Sequence, residues 1–152
     1  MKFTCITEVN LPVDRTAELF DNKDALKNWQ TGFVSYTPVS GTPNQRGAKA
    51  RIVVKNGSRL MELTETIISH NLPNEVSALY EHIHMTNTAR NTFTALGPNK
   101  TRIETEVDYT KFNGIIPRLM SLLMPGMFKA QTQKWMDNFK RFAESGTSVT
   151  GA

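Results

Sequence analysis

Apolar and polar side chains alternate from residue 2 to 10, with Phe3, Cys5, Thr7 and Val9 on one side and Thr4, Ile6 and Glu8 on the other. That period predicts a strand with its odd side inward. After Leu11-Pro12 the pattern becomes helical, and Asp14–Phe20 and Lys23–Trp29 read as two short helices. Asp14, and Asp21 or Asn22, are the expected N-caps, because their side-chain oxygens accept from first-turn amides. Phe33–Val39 is a second strand, and a Gly/Pro/Asn loop covers residues 41–47. Lys49–Lys55 and Ser58–Ser69 are strand-like runs joined by Asn56-Gly57, a pair that suits a two-residue type I′ turn. Pairing Lys55 with Ser58 sets Ile52 opposite Met61 and Ala50 opposite Leu63 on an apolar face, while Arg51 meets Glu62 on the polar one. The apolar parity then runs through Glu65 to Ile67 and turns one carboxylate inward.

Val76–Ile83 continues the sheet. Setting Tyr80 opposite Glu65 avoids facing Glu81 with Glu65, and it makes Val76, Ala78, Tyr80 and His82 the inward set. A last hairpin joins Thr88–Leu96 to Thr101–Thr110. A three-residue loop there places Ala95 by Ile103, Phe93 by Thr105, Asn91 by Val107 and Ala89 by Tyr109, with Arg102, Glu104, Glu106 and Asp108 outside. Pro117 to about Ser145 reads as a helix of roughly 40 Å if unbroken. Trp135, Phe139 and Phe142 lie on one of its faces, Gly146 is its stop signal, and Pro125-Gly126 kinks or divides it. One domain over residues 1–146 and a frayed tail over 147–152 are expected.

Composition narrows the class without naming a function. Hydrophobic residues make up 39% and charged residues 21%, as in ordinary globular chains. The net charge of +4 comes from scattered Lys and Arg, so no nucleic-acid partner is expected. Cys5 is the only cysteine, which excludes an intramolecular disulfide and fits a reducing compartment. The first ten residues lack the pattern of a secretory signal, and a cytoplasmic protein is expected. The apolar stretch Ile115–Phe128 is broken by Pro117, Arg118, Ser121, Pro125 and Gly126, so no stable membrane insertion is expected.

The order strand, two short helices, six strands and a long final helix carries a resemblance. So do Val9-Asn-Leu-Pro-Val13 entering Ala17-Glu-Leu-Phe20, Trp29, Gly47-Ala-Lys-Ala, Phe93-Thr-Ala-Leu followed by Thr101-Arg-Ile-Glu, and the ending Trp135–Glu144. Over essentially its whole length the chain resembles the START-like superfamily, also called SRPBCC, in its polyketide cyclase/dehydrase-like branch. The resemblance implies an α+β helix-grip fold, in which a curved seven-stranded antiparallel sheet surrounds the long C-terminal helix. It also implies a cavity that receives lipid-, polyketide- or isoprenoid-like compounds. Fold alone leaves carrier, enzyme and chaperone-cofactor-like protein-binding roles open.

Apolar walls from Trp29, Phe33, Phe93, Met120, Leu123 and Met127, with Glu65, Tyr80, His82, Asn91 and Tyr109 to orient a ligand, match the pattern of a small-molecule site. The same polar groups also suit internal hydrogen bonding that closes a core. Glu65 and His82 are the acid–base candidates, since a carboxyl in an apolar cavity or an imidazole on a strand end is able to move a proton. A cyclase, dehydratase or isomerase would use one of them. His82 and His84 share a strand face as metal ligands do, but no third donor follows, so neither a metal nor another cofactor is expected. Cys5 reads as a small core residue. Ile115–Phe128 carries too many apolar residues for a simple surface helix and reads as a cavity gate, with a dimer contact or membrane-surface docking as alternatives. Either a monomer or a homodimer is compatible with these features.

Overall fold

The computed structural model describes residues 1–149. Strand β1 (Lys2–Val9) leads to helix α1 (Val13–Asp21), a 3₁₀ turn (Lys23–Ala25) and the one-turn helix α2 (Leu26–Trp29). Strands β2 (Phe33–Ser40), β3 (Lys49–Asn56), β4 (Arg59–Asn71), β5 (Glu75–His82), β6 (Met85–Gly97) and β7 (Lys100–Phe112) follow, then helices α3 (Ile115–Leu123) and α4 (Pro125–Ser145). The strands form one antiparallel sheet in the order β1-β7-β6-β5-β4-β3-β2. Each consecutive pair from β2 to β7 is a direct neighbour, and β7 returns to β1. The sheet curves around α4 in the helix-grip arrangement.

The expected faces hold in every hairpin, although two registers differ by two residues. Lys55 pairs with Leu60, so Ile52 lies opposite Leu63 and Ala50 opposite Glu65. The turn is Gly57-Ser58, with positive φ only at its first residue among the two, which meets the type II′ requirement for glycine there. Phe93 likewise pairs with Ile103 and Asn91 with Thr105, because Gly97 pairs with Lys100 around Pro98-Asn99. A shift of two preserves parity, since side chains alternate with period two. Glu65 pairs with Tyr80 as the charge argument requires.

One expected helix detail changes and the others hold. Residue Pro12 precedes the first turn of α1, and Asp14 lies inside that turn without capping it. Asn22 does cap, accepting from the Asp24 amide at 3.0 Å. The long C-terminal helix is divided at Met124, with Pro125 opening α4, where its missing N–H is not needed. Gly146, at φ 73°, ends α4 in the left-handed conformation that glycine adopts without penalty.

Edge strand β1 is where α4 grips the sheet. Gln133 Nε2 donates to the Ile6 carbonyl, Lys140 Nζ to the Glu8 carbonyl, and the Asn10 amide donates to Glu144 Oε2. One stripe of α4 thus satisfies the outward Ile6 and Glu8 carbonyls of this edge and the Asn10 amide just beyond it. Beneath it, Val9, Ile103 and Phe139 are fully buried with Trp29, Phe93, Leu26 and Met136. Phe20 meets Phe93 and Phe139 edge-on, with ring centres 5.3 and 5.2 Å apart, and it also lies against Trp29. Removing Phe139 would cost about 3–5 kcal/mol, as for other buried aromatics. Beyond Gly146, the Val149 amide and the Ser148 hydroxyl bond to Asn28. Residues 150–152 of the expected tail lie outside the described residues.

Candidate functional site

Glu65 is 4% exposed and faces the concave side of the sheet. Both of its oxygens accept from phenols. Tyr36 donates to Oε1 at 2.9 Å and Tyr80 to Oε2 at 3.0 Å. The two tyrosines arrive from different directions, since Tyr80 is the cross-strand partner on β5 while Tyr36 lies on β2, beyond the intervening β3. Opposite Glu65, β3 presents only Ala50. Burial, followed by the charge of Glu65, pushes both phenols well above their ordinary ionisation range. Among the described residues no Lys, Arg or His forms an ion pair with Glu65.

Tyr36 also forms part of a cleft of about 670 Å³ between the 3₁₀ turn and the β2–β3 region. That volume falls within the range of small-molecule sites. Phe33, Ala48 and Ile67 supply apolar wall; Lys23, Lys27, Asp21 and Asp24 supply charge. The charged side is tied together: His70 Nε2 lies 3.0 Å from Asp21 Oδ2, Lys23 Nζ lies 3.9 Å from Asp21 Oδ1, and the Lys23 ammonium sits 5.1 Å from the centre of the Tyr36 ring. Glu65 therefore stands one hydrogen bond behind the cleft wall.

The remaining candidates separate into distinct surroundings. Trp29 and Phe93 belong to the filled core under α4, and the Trp29 indole nitrogen is buried without a hydrogen-bond partner among the described residues. Asn91 is buried and accepts from Thr105 Oγ1 at 2.8 Å, closing an internal bond. Tyr109 stacks on Phe112 with centres 5.5 Å apart and meets Phe128 edge-on at 5.0 Å. His82 lies against His84, and burial together with that neighbour lowers its pKa, so its ring is neutral near pH 7. Met120, Leu123 and Met127 are exposed and do not line the cleft. Cys5 is buried, and burial pushes its thiol upward.

Tyr36 and Asn87 are absent from the candidates read from the sequence. An irregularity between Phe33 and Ser35 leaves Val34 unpaired, which sets Tyr36 on the same face as Phe33 despite their spacing of three. Only the preference of tyrosine for strands hinted at it. Asn87 is the cross-strand partner of both Tyr80 and Tyr109. Tyr109, Asn87, Tyr80 and Glu65 consequently form a row over four adjacent strands.

No family model matches the chain, and no curated protein is similar to it in sequence at a significant level. Solved structures do share its fold. A protein from Thermus thermophilus superposes with a TM-score of 0.77 at 13% identity, covering 97% of this chain and 100% of its own. An aromatase/cyclase from Streptomyces sp. R1128 gives 0.74 at 9% identity, with 98% and 99% covered. A START superfamily protein from Mycobacterium smegmatis gives 0.69 at 14%, with 90% and 94% covered.

Proposed function

We propose that this chain, with its START-like helix-grip fold, binds an apolar small molecule carrying a hydrogen-bond donor, an amine above all. The observation that carries the reading is the buried Glu65 carboxylate, held by Tyr36 and Tyr80 behind the cleft wall, with no Lys, Arg or His of the described residues in an ion pair with it. Both phenol hydrogens are committed to Glu65. The cleft wall therefore offers a ligand an acceptor, the Tyr36 phenol oxygen, with the Glu65 carboxylate one hydrogen bond behind it. A ligand ammonium beside Tyr36 would supply the counter-charge that Glu65 lacks, in the place over the Tyr36 ring that Lys23 holds, while a ligand carboxylate at that point would meet the like charge of Glu65. Phe33, Ala48 and Ile67 supply apolar contact. The aromatase/cyclase of the same fold supports a ring-containing ligand skeleton.

Binding fits this arrangement better than proton transfer, because Tyr80 has no free hydrogen with which to polarise a carbonyl. Calorimetry with an alkyl amine, alcohol and carboxylate of equal chain length tests the reading. The amine is expected to bind at least about tenfold tighter than the carboxylate, with the preference lost in Glu65→Gln. Equal affinity for all three would remove the assigned polarity, and binding of none, nor of any ring-containing amine, would remove the carrier role.

A further inference from the structure

Helix α3 is built inside out. At the ~100° per residue of an α-helix, Leu122, Ile115, Leu119, Leu123 and Ile116 share an arc of about 120°. That arc points to solvent: Ile115 is 84% exposed, Leu122 77%, Ile116 71% and Leu123 70%. The opposite face carries Pro117 and Ser121, the two residues of the helix that are partly buried. Next to α3, the β5–β6 hairpin holds Ile83 with 76% exposure, and Asn113 ties the two together through bonds to the Ile83 and His84 carbonyls. Met124 and Met127 extend the exposed surface beyond α3. Contiguous apolar surface of this kind marks an interaction face.

The charges around it identify what covers it. From Tyr109 to Met136 the chain carries Lys111, Arg118, Lys129 and Lys134 and no Asp or Glu. All four cations are exposed, with Arg118 at the edge of the apolar arc beside Leu122. Glu81, on the neighbouring hairpin, and Lys111 lie in one cross-strand row with Thr86 on the outer face of the sheet, which leaves Arg118, Lys129 and Lys134 as the cations of this face. A two-fold contact between two copies through this face would set the same cations against each other. An anionic surface neutralises them instead.

We propose that α3 and the Ile83 hairpin dock the protein on an anionic phospholipid surface. The apolar arc would enter the headgroup–acyl boundary while Arg118, Lys129 and Lys134 meet lipid phosphates. The attachment is peripheral, because α3 is about 14 Å long and no helix of the described residues is long and apolar enough to cross a membrane. Docking stands apart from the ligand reading, since the cleft lies along β2 and shares none of the docking residues.

Vesicle flotation of the full chain tests it, with phosphatidylcholine alone and phosphatidylcholine mixed with phosphatidylglycerol. Binding is expected to the mixed vesicles and to weaken with salt. Leu122→Asp with Leu123→Asp should reduce it at least about tenfold, since both residues would leave an apolar phase. Lys129→Glu with Lys134→Glu should reduce it by about fivefold or more per site while leaving the apolar face intact. The exposure of all four side chains predicts unchanged melting. No flotation with mixed vesicles, or equal flotation with both kinds, would overturn the proposal. So would a dimer in ultracentrifugation that the leucine substitutions dissociate.

Discussion

Replacing Tyr80 by Phe removes one of the two bonds that Glu65 accepts, while keeping the ring and nearly the whole side-chain volume. A hydrogen bond to a charged group contributes about 1.5–3 kcal/mol net. Glu65 is nearly fully buried, so water is a poor substitute and the upper part of that range applies. At roughly 2–4 °C per kcal/mol for a chain of this size, Tyr80→Phe should lower the melting temperature by roughly 5–12 °C. In a Glu65→Leu background the same replacement has the opposite logic. The phenol has then lost its acceptor, and a buried unpaired hydroxyl itself costs about 1–3 kcal/mol, so removing it should be neutral or stabilising. Urea unfolding of the four proteins of this cycle should give a coupling of at least about 1.5 kcal/mol. Additivity within about 0.5 kcal/mol would refute the assigned bond, because independent sites add to that precision.

The sequence contains three tyrosines, and burial raises the pKa of all of them, with the charge of Glu65 adding to the effect at Tyr36 and Tyr80. Because the native state holds these protons more tightly than the unfolded chain, their stability contribution is complete below about pH 10, where unfolded tyrosine ionises. It is lost as pH rises through the native values. Ultraviolet titration should show tyrosinate near pH 10 only in urea; a native phenol ionising there would refute its placement. Gly32→Ala should destabilise by roughly 2 kcal/mol or more, since φ is +86° and a Cβ would strike the Lys55 carbonyl oxygen. A loss below roughly 1 kcal/mol in urea unfolding would contradict that backbone arrangement.

The neighbouring solved structures share this fold at 9–14% identity. In this chain the fold fills one region completely, around Phe139 and Ile103, and leaves α3 with no buried residue. Partly exposed Met61, Leu63 and Tyr80 continue the concave face away from that core. Ligand cleft and docking face therefore occupy separate parts of the molecule.

Alternation along the chain determined which side chains face inward, including Glu65 and its partner Tyr80, because strand parity is a local property that survives a two-residue slip. It also determined the division at Pro125, because proline's missing amide acts within one turn. Turn geometry decided the registers, as Gly57 at the first central position selects a different turn from Asn56-Gly57. Only the tertiary structure decided that Tyr36 completes the grip on Glu65, since an irregularity in β2 resets parity and the contact crosses an intervening strand. It also decided that Trp29 and Phe93 lie in the closed core while α3 turns its apolar arc outward. Helical periodicity defines the arc, but which way it points depends on how Gly114 and Met124 aim the helix, and no periodicity encodes that.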